Sequence, residues 1–202
     1  DYLIIEYIQG VTLAVFLKNK NNANDIVTIA FELILTIQHL HENNLVYRDF
    51  KTDNVIIDQD KNAVLIDFDR MLKESKISGD DNHTKDLSSY KLPENESGQV
   101  RVECDIYSFG KMIFEILNKG LPANERKPKF EETLKKCASE KKEERPTIDE
   151  LFFEFYTSYH SLIKNSLIES NPQIHFKLGN IYMNGENVAI DIDRAIQYFS
   201  VK

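Results

Sequence analysis

The sequence predicts a mostly α fold with a few short β-strands, and three observations carry that expectation. Apolar residues recur at steps of three and four between Ile26 and Leu40, the period of a helix with one core face. From Cys104 onward the helical period returns and no strand pattern interrupts it. Between these stretches, short Val- and Ile-rich runs bounded by polar residues read as strands.

Each element follows from local chemistry. The run "DYLIIEYI" at 1–8 is rich in Ile and Tyr and predicts a strand ending near Gly10. After an Asn-rich turn at 19–24, Asp25 is the candidate cap of a helix carrying Ile26, Ile29, Ala30, Leu33, Ile34, Ile37 and Leu40 on one face. Strands are expected at 45–47, about 55–58 and 63–67, the last two joined by a polar turn. Residues 70–100 are polar and aperiodic, and a segment of that length in a compact domain is usually functional or disordered. "DIYSFGKMIFEIL" at 105–117 is apolar on nearly every side and predicts a buried helix, followed by another at 129–138. Thr147 and Glu150 form a Thr-x-x-Glu capping box behind Pro146, opening the helix "IDELFFEFYTSY". Pro172 breaks the chain after it, and 174–202 reads as a helix, a Gly-containing turn and a second helix.

Composition narrows the function. The 202 residues suffice for one domain with a proper core and a second small unit. A formal charge of -8 argues against a nucleic-acid partner, because proteins that neutralise phosphates usually carry a basic face. The Lys-rich stretch at 125–145 is interleaved with Glu and reads as a solvated surface. No apolar run approaches the ~20 residues of a membrane helix, so no membrane span is expected. Cys104 and Cys137 have no metal-type spacing, which fits a reducing, cytoplasmic setting. The first residues, "DYLIIEY", lack a Met and a leader, and the chain reads as a piece of a longer polypeptide cut inside a strand.

The stretch "LVYRDFKTDNVIID" at 45–58 concentrates the chemistry. Asp49 sits where a strand has ended, Asn54 follows five positions later, and Asp67 closes a strand 18 positions on. A hairpin between them can bring all three side chains to one edge. Phosphoryl transfer needs such a set: a carboxylate to accept a hydroxyl proton, and a carboxylate and an amide to hold Mg²⁺ against phosphates.

"YRDFKTDN", "DFD", "LPE", "DIYSFG" and the Cys137…"RPT" pair occur in the order and spacing of a protein kinase, and residues 1–160 resemble the hinge and C-terminal lobe of that family. The resemblance implies an ATP- and Mg²⁺-dependent enzyme acting on protein substrates. Asp49 matches the catalytic base, Lys51 the residue that stabilises the transferring phosphoryl group, and Asn54 and Asp67 the metal ligands. Glu6, Tyr7 and Ile8 resemble the hinge whose backbone binds adenine, with Ile5 at the gatekeeper position. Glu94 of the Leu-Pro-Glu would pair with Arg145, and Asp105 and Gly110 match the pattern of the buried helix, with Tyr107 where Trp is usual. Lys51, two residues after the base, implies serine/threonine specificity. Arg48 before the base resembles kinases in which a phosphate on the segment at 70–91 pairs with Arg, with Thr84 or Ser88 as the candidates.

The pattern departs from the family in three places. Tyr47 stands where His is usual, and its ring can pack in the same slot. Asp69 replaces a Gly, exchanging backbone freedom for negative charge beside the phosphates. The Gly-rich loop, the Val-Ala-x-Lys strand and the helix bearing a partner Glu are absent from these residues, so the N-terminal lobe is missing and the chain alone is expected to bind ATP poorly. A pseudokinase scaffold is therefore the alternative expectation.

Residues 174–202 resemble one Sel-like repeat of the tetratricopeptide class, through Leu178, Gly179, Tyr182, Gly185, Asp191, Ala195 and Tyr198. That resemblance implies protein partners bound through the repeat region, with neighbouring repeats to cover its apolar face.

Overall fold

A computed structural model describes residues 6–73, 101–169, 171–185 and 188–200. It divides into two compact units, Asp1–His160 and Ser161–Lys202.

The first unit carries β1 (Gly10–Thr12), α1 (Leu13–Phe16), α2 (Ala23–Glu42), β2 (Leu45–Val46), β3 (Val55–Asp58), β4 (Ala63–Leu65), β5 (Leu72–Lys73), α3 (Val102–Gly120), α4 (Pro128–Cys137) and α5 (Ile148–Tyr159). Strand β3 is central in an antiparallel sheet ordered β1-β3-β4, with Gly10 opposite Asp58 and Val55 opposite Leu65. Strands β2 and β5 form a separate antiparallel pair, Leu45 opposite Lys73.

Two expectations about the first elements are corrected. The strand expected at 1–8 is not found over residues 6–9, which lie outside any strand, while 1–5 fall outside the described residues. The paired segment is Gly10–Thr12. Close approach decides its place: a Cβ on Gly10 would lie 2.3 Å from the carbonyl oxygen of Ile57, so β-propensity in the preceding Ile and Tyr residues does not set the register. Helix α2 is capped by Asn22, whose side-chain oxygen accepts the N–H of Asn24 at 2.9 Å. Asp25 lies inside the first turn, buried, and accepts a hydrogen bond from Lys61 Nζ at 2.6 Å. The polar stretch after 70 also contributes the short strand β5, which sequence periodicity did not reveal.

Helix α2 organises the unit because its buried face runs from Ile26 to Leu40. Its polar residues tie it to its neighbours: Glu32 accepts the N–H of Ala63 on β4 at 2.7 Å, and Gln38 donates to Asp149 on α5 at 3.2 Å. Phe31 meets Phe152 and Phe155 at ring-centroid distances of 5.5 and 5.9 Å, and Phe130 of α4 stands edge-on to Phe155 at 5.0 Å. Full burial of each such ring contributes roughly 1.5–3 kcal/mol, and these contacts make α2, α4 and α5 one core.

Helix α3 is buried from Cys104 to Gly110 and turns one side outward at Phe114. Gly110 lets α4 approach: a Cβ there would lie 2.3 Å from the Cβ of Cys137. The capping box opens α5 as expected, with Thr147 Oγ1 accepting the N–H of Glu150 at 3.2 Å and Glu150 accepting the N–H of Thr147 at 2.8 Å.

The second unit holds α6 (Asn165–Glu169), α7 (Pro172–Asn184) and α8 (Ile192–Phe199). Pro172 opens α7 and does not merely interrupt the chain, since Asn171 caps that helix and proline suits its first turn. Gly185 closes α7 at φ 72°, a conformation that costs glycine little. Asp191 caps α8 by accepting the N–H of Arg194 at 3.0 Å. The two helices pack through stacked Tyr182 and Tyr198 rings, 5.7 Å apart, and through Gly179 beneath Phe199.

Candidate active site

The loop after β2 is shaped from outside by Asp105 of α3. Its fully buried carboxylate accepts the backbone N–H groups of Tyr47 and Arg48, each at 2.7 Å, and meets His41 Nε2 at 3.1 Å. Arg48 has φ 73°, a left-handed backbone that non-glycine residues rarely adopt, and these charge-assisted bonds offset its cost. Phe50 is driven into the core against Tyr47 at 4.6 Å and Phe109 at 5.1 Å. With Tyr47 and Phe50 anchored on the core side, Asp49 is presented between them.

Asp49 is 2% exposed, and its two oxygens have different surroundings. Oδ2 accepts hydrogen bonds from Lys51 Nζ at 2.7 Å and from the Asn54 amide nitrogen at 2.9 Å. The same amide nitrogen donates to the Asp49 carbonyl at 3.0 Å, so a 3-10 turn at Thr52–Asn54 folds Asn54 back over the base. Oδ1 of Asp49 is buried without a hydrogen-bond partner. A buried acceptor left open in this way is an atom waiting for a donor from outside the chain.

Asp67 follows β4. Ile66 donates its N–H to the Asn54 carbonyl at 2.9 Å, and its own carbonyl accepts the Tyr47 hydroxyl. Asp67 comes next, exposed and at φ 63°. Phe68 then stands edge-on to Tyr47 at 5.8 Å. Burial pushes the Tyr47 phenol well above its ordinary value, and the charges of Asp49, Asp67 and Asp105 add to this against a hydrogen bond from Asn54 that lowers it. The phenol therefore keeps its proton and can donate.

The structure thus joins Asp49, Lys51 and Asn54 by direct hydrogen bonds, and brings Asp67 to the same edge through Ile66. Glu6, Tyr7 and Ile8 lie elsewhere: they line an open hollow with the turn Asp58–Asp60 and Val64, a lining that includes neither Asp49 nor Asn54. Ile5, Thr84, Ser88 and Glu94 lie outside the described residues. Arg145 is buried, donating to the carbonyls of Ser139 at 3.0 Å and Glu103 at 2.9 Å.

The donor set fits a hard cation. Asn54 and Asp67 offer an amide and a carboxylate oxygen, the ligand chemistry of Mg²⁺ shared with phosphate oxygens. Among the described residues no three His, Cys, Asp or Glu side chains gather into a protein-only metal cluster. The sequence reading had not seen that Asp105 shapes the loop, or that the Tyr47 hydroxyl reaches Ile66. A lone acid inside an apolar helix was the available signal for the first.

The protein kinase domain model matches residues 1–173. This chain belongs to the protein kinase family. It is 30% identical over 120 residues to the serine/threonine-protein kinase SCH9 of Candida albicans, covering 57% of this chain and 15% of that protein. Over 129 residues it is 29% identical to the serine/threonine-protein kinase PrkC of Bacillus subtilis, covering 60% and 19%. Over 123 residues it is 32% identical to the protein kinase C-like 1 of Caenorhabditis elegans, covering 57% and 17%. The kinase chain therefore spans less than a fifth of the length of these relatives. None of its described helices is long and apolar enough to cross a membrane.

Proposed function

We propose that this chain is the hinge and C-terminal lobe of a serine/threonine protein kinase that transfers the γ-phosphate of ATP to protein hydroxyls. The carrying observation is the asymmetry of Asp49, with one oxygen held by Lys51 and Asn54 and the other buried and open. In this reading a substrate hydroxyl donates to Oδ1 of Asp49, which takes its proton as the oxygen attacks phosphorus. Lys51, already beside the base, steadies the negative charge on the transferring group. Asn54 and Asp67 hold Mg²⁺, which when bound neutralises phosphate charge. Glu6, Tyr7 and Ile8 meet adenine, and a nucleotide-covering lobe outside these residues completes the site. The serine/threonine assignment leans on Lys51 and on the names of the similar kinases.

The test is Asp49→Asn in the full-length protein, which keeps the shape and removes the basic charge. Phosphate incorporation into a general acceptor should fall by about three orders of magnitude or more; unchanged incorporation rejects Asp49 as the base.

A second reading, a kinase-like scaffold, is favoured by Asp69, which places an exposed acid two residues after Asp67. Metal-dependent nucleotide binding by the full-length protein without phosphate transfer would select it. Under either reading, the α7–α8 hairpin serves as a Sel-like repeat that contacts protein partners. Support comes from its exposed Phe176, Ile192, Ile196 and Phe199.

A further inference from the structure

We infer that the Tyr47 hydroxyl is a positioning group that holds Asn54 and Asp67 at one fixed separation. The inference rests on the kinase reading of the site and concerns a bond that ring packing alone does not supply. Tyr47 lies between Phe50 and Phe68, at 4.6 and 5.8 Å, and a plain phenyl ring would fill that slot equally well. The oxygen adds a closed circuit. Ile66 donates its N–H to the Asn54 carbonyl at 2.9 Å; the Ile66 carbonyl accepts the Tyr47 hydroxyl; and the Asn54 side chain returns to that hydroxyl.

Asn54 is thereby fixed at its main chain and at its amide, and the peptide that leads into Asp67 is fixed at both its N–H and its carbonyl. Asp67 needs this restraint because its φ of 63° is an unfavoured backbone setting for a residue with a side chain. If the Ile66 carbonyl loses its donor, the peptide before Asp67 can rotate, and the carboxylate swings relative to the Asn54 amide. Outer groups that orient metal ligands in this way typically change metal affinity by ten- to a hundredfold when removed.

The experiment compares wild type, Tyr47→Phe and Phe50→Leu in the full-length protein by calorimetric titration with a non-hydrolysable ATP analogue, with Mg²⁺ and with EDTA. Expected for Tyr47→Phe is a loss of about tenfold in the affinity measured with Mg²⁺, with the EDTA value within about twofold of wild type. The Mg²⁺ concentration for half-maximal phosphate transfer should rise by a similar factor, while KM for the protein substrate stays constant. Phe50→Leu, which disturbs the packing and spares the hydroxyl, should lower the melting temperature without altering the Mg²⁺ dependence.

Equal losses with Mg²⁺ and EDTA, no loss at all, or the same Mg²⁺ effect in Phe50→Leu would overturn the inference. So would failure of Tyr47→Phe to fold, because the hydroxyl would then be structural. If wild type itself binds no analogue with Mg²⁺, the kinase reading of the site falls, and this inference with it.

Discussion

The guanidinium of Arg145 lies 4.9 Å from the ring centroid of Tyr107, on a ring that Lys111 Nζ approaches at 4.3 Å. Arg145 also donates to two backbone carbonyls, so its fork and its flat face are both engaged. Arg145→Ala should destabilise the protein by about 3 kcal/mol or more, since charged hydrogen bonds contribute about 1.5–3 kcal/mol each. Arg145→Lys should recover less than half, because one ammonium cannot bridge both carbonyls and stack. Denaturant midpoints at constant slope provide the measurement, and a loss within ~0.5 kcal/mol would mean these contacts contribute nothing.

Asp105→Ala should cost about 3 kcal/mol, because two buried backbone N–H groups, those of Tyr47 and Arg48, would lose their acceptor. Asp105→Asn keeps one oxygen and should fall between. Phosphate transfer should decline further than stability predicts in both variants, since Arg48 loses the restraint that holds φ at 73°. Parallel decline of both quantities would count against a shaping role for the carboxylate.

Gly110→Ala should destabilise by roughly 1–3 kcal/mol through overpacking. The added Cβ would meet the Cys137 Cβ at 2.3 Å, so Cys137→Ala, which keeps that atom, should not rescue it. Rescue by Cys137→Ala would show that the sulfur, 3.0 Å from the added atom, makes the conflict.

Cys137 gives the chain a pH dependence. Burial pushes its thiol up to about 12, although its own backbone hydrogen bond and the charge of Arg145 pull the other way. An unfolded thiol loses its proton from about 8.5 upward. Its contribution to stability is therefore complete below that value and is lost as pH rises toward 12, by at most ~1.4 kcal/mol per unit. Cys137→Ala should flatten the alkaline limb of the unfolding profile. Native protein at pH 8 should leave Cys137 unalkylated until denaturant is added.

Legibility in the sequence followed the range of the forces involved. The capping box at Thr147 and Glu150, the hairpin strands near 55–58 and 63–65, and the helix around 105–117 were readable because their causes lie within a few residues. Asp25 was misread as a cap because its true role depends on Lys61, 36 positions away. Strand β1 was misplaced because its register depends on the close approach of Gly10 to Ile57, which propensity does not encode. Strand β5 is two residues long and exists only through pairing with β2. In the site, the Asp49, Lys51 and Asn54 cluster was legible from its short spacing. The bonds from Asp105 and from the Tyr47 hydroxyl were not, since they join residues 57, 58 and 19 positions apart.

Those long spans have a consequence for the order of assembly. The loop bearing Asp49 cannot take its shape from its own sequence, because the Arg48 conformation is stabilised by a carboxylate that arrives only when α3 has docked on α2. Closing so large a loop carries an entropic cost that local helix formation avoids. During synthesis, then, the helices around Phe31 can form well before the base is presented, and a partly made chain carries Asp49 in the wrong geometry for chemistry. Competence would be acquired late and all at once, a timing that hydrogen exchange at the Tyr47 and Arg48 amides can follow directly.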